Sequence, residues 1–230
     1  IPDECEDDCD GNGLPDVYEI DADPSLDQND NGVSDACECL AVNELKLYAG
    51  DGVLRDRFGT SLALLDNETV IGAYNTGNTG PQSTGRGSVY VNEYDGETWD
   101  FQPELEDSSG QLGDGLGISV AAAQEVIVAG AAGDDENLLT DNGSAVIFRR
   151  TEGGWQQEQK VTGSMAGNSA VFGFSVSIDR ESGARFVVGA VQEGTTGPTA
   201  FDGIGAAYVF VDQNGTWTEE ARLAPADGTP

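Results

Sequence analysis

Two twelve-residue stretches near the start of the chain carry oxygen-bearing residues at the spacing of a calcium-binding loop. In the first stretch, positions 1, 3, 5, 7, 9 and 12 are Asp8, Asp10, Asn12, the Leu14 carbonyl, Asp16 and Glu19. In the second stretch, the same positions are Asp27, Asn29, Asn31, the Val33 carbonyl, Asp35 and Glu38. A solvated acidic loop is the alternative, but chance acidity would not also place glycine at position 6 twice, at Gly13 and Gly32. We therefore expect two Ca²⁺ sites.

The first six residues resemble the second half of each of these loops. Asp3 and Glu6 align with positions 9 and 12, and positions 1 to 6 would fall before Ile1. We expect a partial third calcium site here, which is either the remnant of a trimmed loop or is completed by another chain.

All four cysteines, Cys5, Cys9, Cys37 and Cys39, lie in the same acidic segment. An even number of cysteines in a small acidic module predicts disulfides formed in an oxidising compartment, and zinc binding is the competing interpretation. A bond between Cys37 and Cys39 would be strained. The expected bonds therefore join Cys5 and Cys9 to Cys37 and Cys39, in an order that the sequence leaves open.

The gap between the two loops is too short for the paired helices of an EF-hand. It spans residues 20–26 and contains Pro24, which interrupts a helix. The Asp- and Asn-rich loops with cysteines between them resemble thrombospondin type 3 and dockerin-like repeats. This resemblance covers residues 1–39 and implies a helix-poor, calcium-stiffened extracellular spacer, which we assign to a module of residues 1–42.

The charge of the chain excludes several classes of partner. The 230 residues carry a net charge of −32 with 10 basic residues, and residues 1–39 contain no Lys or Arg. Such a chain is unsuited to nucleic acid or to anionic membrane surfaces. It has no apolar run long enough to insert into a membrane, and it begins with Ile1, as expected after removal of a signal peptide. We expect an extracellular protein, either secreted or at the cell surface.

A second pattern, of three related segments, fills residues 45–228. Each copy contains an aromatic or Leu residue before Gly, a Gly-Ala pair, a Gly-Ser or Gly-Ala start of a β-rich run, and a Trp, at a period of about 58 residues. In the first copy we expect strands near residues 59–65, 69–74, 87–94 and 98–105. The fold class is therefore all-β, with three four-stranded antiparallel units over residues 43–230.

These units resemble the FG-GAP repeats of integrin-type β-propellers. The pairs that carry the resemblance are Phe58-Gly59 with Gly72-Ala73, Leu116-Gly117 with Gly130-Ala131, and Phe172-Gly173 with Gly189-Ala190. The chain departs from the family where its closing proline is replaced by Tyr74, Ala132 and Val191. It also lacks the family's Asp-rich calcium loop between the first two strands. The glycines and aromatic residues are interpreted as packing residues rather than as ligand contacts.

The number of repeats indicates an incomplete structure. Residues 45–49 match the end of a fourth strand, so we expect three blades and one spare strand, fewer than the four to eight blades of a closed propeller. Exposed blade faces must be covered. The expected partners are further blades of a longer chain or other copies of this chain packed head to tail.

Three sequons, at Asn67, Asn142 and Asn214, lie in expected turns and could carry glycans. For Asn142 and Asn214, which precede glycine, hairpin geometry is an equal explanation. A second acidic cluster, formed by Asp134, Asp135, Glu136 and Asp141, is interpreted as solvated surface.

The chain contains no histidine, which removes Ser-His-Asp and Cys-His catalytic sites. We therefore expect a non-enzymatic, calcium-binding structural or adhesion protein, with filament assembly as its most specific form. The alternative is part of a closed propeller whose loops bind a protein or a glycan. An enzyme that uses loop carboxylates is the third and weakest hypothesis.

Overall fold

A computed structural model describes residues 16–26, 47–78, 80, 84–136, 139–194 and 203–226. The chain divides into two compact units, Ile1–Leu47 and Tyr48–Pro230.

The described part of the first unit is one short helix followed by a turn. Helix α1 spans Asp16–Ala22, and a 3-10 helix spans Pro24–Leu26. The helix ends before Pro24 because proline disfavours helical backbone at the residue preceding it. That residue, Asp23, accepts hydrogen bonds at Oδ1 from the backbone N–H (3.1 Å) and the hydroxyl (2.7 Å) of Ser25. Helix α1 thus begins inside the first expected loop, at Asp16, and ends in the segment of residues 20–26 that separates the two loops.

The second unit consists of three antiparallel sheets of four strands each, here called blades 1 to 3. In each blade the strands pair in chain order. Blade 1 contains β1 (Ser61–Leu65), β2 (Glu68–Ala73), β3 (Ser88–Tyr94) and β4 (Trp99–Phe101). Blade 2 contains β5 (Leu116–Ala123), β6 (Val126–Ala131), β7 (Ser144–Thr151) and β8 (Gly154–Val161). Blade 3 contains β9 (Phe172–Ile178), β10 (Arg185–Ala190), β11 (Ala206–Asp212) and β12 (Trp217–Leu223). The expected all-β fold of three blades is confirmed.

The hydrophobic core lies between the blades, because successive side chains of a strand point to opposite faces of the sheet. We call the side of each blade that points toward the next blade its forward face, and the opposite side its rear face. One core cluster joins the forward face of blade 1 to the rear face of blade 2, and a second joins blade 2 to blade 3 in the same way. Phe172 and Trp217 are buried in the second cluster, which confirms the packing interpretation for these aromatic residues.

The Gly-Ala and Phe-Gly markers meet where neighbouring blades touch. A Cβ atom on Gly72 would lie 2.0 Å from the carbonyl oxygen of Gly117, and one on Gly130 would lie 1.8 Å from that of Gly173. Gly117 and Gly173 have φ angles of +87° and +92°, in the left-handed region that favours glycine. The recurring glycines therefore allow the close approach of one blade to the next.

The fourth strand of blade 1 is shorter than expected. Strand β4 ends at Phe101, and Leu105 pairs with Val89 only as an isolated bridge. Pro103 lies between them and has no N–H group to donate to the sheet. In the described part of the expected spare strand, residues 47–49 form no strand. Instead the ring of Tyr48 lies 6.1 Å from that of Phe101.

Candidate functional site

Most of the calcium and disulfide predictions fall on residues outside the described ranges. Asp16 is the first residue of α1, and Glu19 lies one turn later in the same helix. The remaining expected ligands and the cysteines lie outside the described residues: Asp3, Glu6, Asp8, Asp10, Asn12, Leu14, Asp27, Asn29, Asn31, Val33, Asp35, Glu38, Cys5, Cys9, Cys37 and Cys39.

The hairpins between the first two strands of each blade do not offer the calcium loop of the family. The hairpins of blades 1 and 2 have only two loop residues each, between Leu65 and Glu68 and between Ala123 and Val126. Two residues cannot supply the six or more oxygen ligands that Ca²⁺ requires. In blade 3 the loop is longer, but the carboxylate of Asp179 is engaged within it by the N–H of Glu181 (3.1 Å) and the hydroxyl of Ser182 (2.6 Å).

A cluster of carboxylates in blade 2 surrounds one lysine. Oxygen atoms of Asp107, Asp114 and Asp134 lie within 4.8 Å of one another, the one such group in the described part of the chain. The ammonium of Lys160 lies 2.8 Å from Asp107, 2.5 Å from Asp134 and 2.7 Å from Glu136. The interpretation of Asp134 as a solvated residue is therefore wrong. Asp134 is buried because Lys160 and the hydroxyl of Ser144 (2.6 Å) satisfy its carboxylate.

For Lys160 and Asp107, burial and hydrogen bonding shift the pKa in opposite directions. Burial disfavours the charged form of Lys160, but hydrogen bonds to its carboxylate neighbours raise its pKa above the usual value. For Asp107, burial opposes ionisation, but hydrogen bonds led by that of Lys160 lower the pKa. Burial raises the pKa of Asp114 to about 6, and the charge of Asp134 contributes to that rise. The protein's own cation thus occupies the centre of this acidic cluster.

Blade 3 has an analogous buried contact. The hydroxyl of Tyr208 and the guanidinium of Arg222 both donate to the carboxylate of Glu193, with the Arg222 Nε atom 2.6 Å from Oε1. Burial and the contact with Glu193 raise the pKa of Tyr208 above its usual value.

The forward faces of the three blades are chemically alike but differ in exposure. In blade 1 this face carries Val70, Val89 and Val91, and in blade 2 Val128, Ala145 and Ile147, all with 0% of their surface exposed. The matching residues of blade 3 are Val187, Ala207 and Val209, which lie at equivalent positions of the strand pairing and are only half-buried. An apolar sheet face therefore remains open at blade 3 among the described residues.

On the rear face of blade 1, Ile71 and Tyr90 are buried, but the outer strand β1 is open. Leu62 and Leu64 of β1 are 67% and 61% exposed. The equivalent residues of blade 2, Val120 and Ala122, are 8% and 7% exposed because blade 1 covers them. Among the described residues, the forward face of blade 3 and the β1 edge of the rear face of blade 1 are therefore the apolar surfaces left open.

Polar groups at these two faces are complementary as well. Between blades 1 and 2 the hydroxyl of Ser61 donates to the carbonyl of Gly117 (2.8 Å), and between blades 2 and 3 Ser119 donates to Gly173 (2.8 Å). The serine of blade 3 that corresponds to Ser61 and Ser119 is Ser175, which lies on the forward face and is exposed. The glycine of blade 1 that corresponds to Gly117 and Gly173 is Gly59. It is exposed and has the same left-handed backbone, with φ +89°.

The three sequons differ in accessibility. Asn67 and Asn214 are exposed. Asn142 is 1% exposed, and its Oδ1 accepts the backbone N–H of Glu136 at 2.7 Å. Asn142 is therefore enclosed in the folded blade, and it lies at the end of the loop between β6 and β7 rather than in a two-residue hairpin turn.

Comparisons with known proteins identify the repeats. A family model described as FG-GAP repeat matches residues 42–92, 99–148 and 155–210. Among solved structures, Sqt1 from Saccharomyces cerevisiae is similar with 10% sequence identity and a TM-score of 0.43. The match covers 73% of this chain but only 35% of the Sqt1 chain. No curated protein sequence matches the chain. In the described residues, no helix has the length and apolar character needed to cross a membrane.

Proposed function

Because the chain belongs to the FG-GAP repeat family, we propose that it is a secreted, non-enzymatic, calcium-binding structural or adhesion protein whose copies pack head to tail. FG-GAP repeats are typical of extracellular and cell-surface proteins, which supports the location. The net charge of −32 favours cations over anionic partners.

The observation that supports this proposal best is that the open forward face of blade 3 and the open strand β1 of blade 1 match the two blade interfaces already present in the molecule. A second copy that presents Leu62 and Leu64 to Val187 and Val209 would repeat the contact between blades 2 and 3. Ser175 would then donate to the carbonyl of Gly59 in that copy. A head-to-tail contact repeats from one copy to the next. It generates a ring where the rotation per copy closes and a filament where it does not.

The acidic residues 1–39 support the calcium-binding part of this proposal. Their two loops resemble thrombospondin type 3 and dockerin-like repeats, in which bound Ca²⁺ stiffens a disulfide-linked spacer. We propose that bound Ca²⁺ makes residues 1–42 a stiff spacer.

The test is the mass of the full chain in calcium-containing buffer, measured by sedimentation velocity and light scattering over a range of concentrations. We expect species of two and more copies that increase with concentration. Val209→Asp places a charge on the open forward face of blade 3 and should reduce the protein to monomer. Met165→Asp is the matched control, because Met165 is exposed in the loop between blades 2 and 3, away from both open faces.

A wild-type protein that stays monomeric at all concentrations would contradict head-to-tail assembly of copies. The open faces would then favour the second candidate, a propeller completed by further blades of one polypeptide, whose loops bind a protein or a glycan. Equal loss of assembly in Met165→Asp and Val209→Asp would also count against the proposed interface.

A further inference from the structure

An ion pair on the forward face of blade 2 encloses the tryptophan that begins the fourth strand of blade 3. The guanidinium carbon of Arg149 lies 6.0 Å from the centroid of the Trp217 ring. The carboxylate of Glu158 accepts the Arg149 Nε–H at Oε1 (2.6 Å) and the indole N–H of Trp217 at Oε2 (2.9 Å). Trp217 is only 2% exposed. We call such an arginine–glutamate pair, which contacts both the ring and the N–H of an indole, a tryptophan clamp.

Blade 3 carries a similar pair on its open forward face. The guanidinium of Arg185 donates to the carboxylate of Glu220 through Nε (2.8 Å) and Nη2 (2.9 Å). Glu220 takes the place of Glu158, because the pairing of the third and fourth strands shifts register at each of these glutamates. Arg185 begins β10 directly opposite Val211, which takes the place of Arg149 in the strand pairing. The two arginines therefore project from neighbouring strands at the same end of the forward face.

The pair on blade 3 is accessible. The side chains of Arg185 and Glu220 are 52% and 43% exposed. Within the described ranges, no aromatic ring lies at cation–π distance from Arg185. The two parallel hydrogen bonds to Glu220 occupy one edge of the guanidinium and leave its flat faces free to stack. This pair is thus oriented to receive an aromatic side chain.

The chain itself has a tryptophan at the matching position of blade 1. Trp99 begins β4, as Trp217 begins β12. Trp99 pairs with Tyr94 and lies on the rear face, which is the face that a preceding blade would contact. Trp99 is half-buried, Tyr94 is 38% exposed, and their ring centroids are 5.2 Å apart. Tyr94 takes the place of Asp212, the carboxylate that pairs with Arg149 between blades 2 and 3.

We propose that Arg185 and Glu220 form a tryptophan clamp for Trp99 of a second copy of this chain, an inference that rests on the head-to-tail packing proposed above. The Arg185 guanidinium stacks on the Trp99 ring, and Glu220 accepts its indole N–H. Tryptophan is the aromatic side chain that binds cations best, and Tyr94 extends the electron-rich surface offered to Arg185. The clamp adds a directional polar contact to the apolar face of blade 3 and so fixes the position of the second copy on it.

The test is a double-mutant cycle on the association constant of the full chain, measured by sedimentation velocity. Trp99→Phe keeps an aromatic ring but removes the indole N–H, and Glu220→Ala removes the acceptor. We expect each substitution to weaken association about tenfold, because each breaks a hydrogen bond to a charged group. In the Glu220→Ala background, Trp99→Phe should have little further effect, since both remove the same contact. Glu152→Ala is the matched control for charge, because Glu152 is exposed in the turn between β7 and β8 of blade 2.

Wild-type association in both Trp99→Phe and Glu220→Ala would overturn the clamp and leave head-to-tail assembly standing. Independent, additive losses in the double variant would also overturn it, as would an equal loss in Glu152→Ala. A wild-type chain that stays monomeric at all concentrations would overturn both the assembly and the second copy as the occupant of the clamp. Where Trp99→Phe does not fold, as judged by circular dichroism, Arg185→Gln takes its place. Wild-type association in folded Arg185→Gln would overturn the proposal.

Discussion

At the scale of single residues, Lys160 decides the character of the acidic cluster in blade 2. Lys160 and Lys46 are the two lysines of the chain, and the Lys160 ammonium contacts Asp107, Asp134 and Glu136. The side chains of Asp107 and Asp134 are each only 3% exposed. Carboxylates buried this deeply require a charged or hydrogen-bonded partner. Asp114, at the edge of the same cluster, receives less compensation, and its pKa is raised to about 6.

Asp114→Asn tests this shift. The pKa of Asp114 is about 6 in the folded chain and 3.8 in its ordinary state, so the folded chain holds the proton more tightly. The protonated side chain therefore stabilises the fold fully below pH 3.8, and this contribution is lost as the pH rises through about 6. Asparagine does not titrate. The free energy of unfolding of the variant relative to wild type should therefore increase by about 2 kcal/mol between pH 4 and pH 8.

The measurement is urea unfolding at a series of pH values. Asp100→Asn is the control, because Asp100 is exposed in β4 and the substitution makes the same change in charge. A pH-independent difference between Asp114→Asn and wild type would contradict the raised pKa.

At the scale of secondary structure, glycine pairs set how closely the blades approach. Gly72 and Gly130 each face a glycine carbonyl of the next blade at a distance that excludes a Cβ atom. Gly189 is their counterpart in blade 3, where a Cβ would meet Ser175 Oγ at 2.4 Å but no carbonyl of a following blade within the described residues. The same substitution is therefore expected to have different effects in blades 2 and 3.

Gly130→Ala should destabilise the folded chain by about 3 kcal/mol, because its Cβ would overlap the Gly173 carbonyl and force blades 2 and 3 apart. Gly189→Ala should change stability by no more than about 0.5 kcal/mol, because the exposed Ser175 side chain can rotate away. Gly189→Ala should nevertheless prevent head-to-tail assembly, since it blocks the approach of a second copy. Chemical denaturation and sedimentation velocity measure the two effects. A stable, fully assembled Gly189→Ala protein would contradict the proposed packing.

At the scale of the whole molecule, the chain contains two compact units, Ile1–Leu47 and Tyr48–Pro230. The blade unit buries apolar residues between its sheets. For the first unit, with its short helix α1, we propose that Ca²⁺ and disulfides take the place of a core. Removal of a calcium ligand is therefore expected to affect the first unit alone.

Glu19→Gln should remove one bound Ca²⁺, because Glu19 is the expected bidentate ligand of the first loop. Amide hydrogen exchange should become faster across residues 16–26 and stay unchanged in the blades. Asp21→Asn is the matched control, since Asp21 lies in the same helix at a position outside the loop pattern. Unchanged calcium binding in Glu19→Gln, or equal losses in both variants, would contradict the assignment of the loop.

The sequence by itself determined the architecture of the blades. The repeated markers and the alternation of apolar residues located β1, β2 and β3 to within two residues at each end. These features depend on local backbone geometry and on the two-residue period of a strand, both of which can be read along the chain. The expected end of β4 near residue 105 is wrong, because the strand ends at Phe101 and Pro103 cannot donate to the sheet.

Only the tertiary structure decided which polar residues act together. The cluster around Lys160 of β8 combines Asp107 and Asp114, from the loop before β5, with Asp134, from the loop after β6. No spacing along the chain indicates that these residues meet. Asp134 and Asn142 look exposed in a polar loop of the sequence and are buried in the fold. Burial and charge compensation are properties of packing, and packing is settled only when the blades come together.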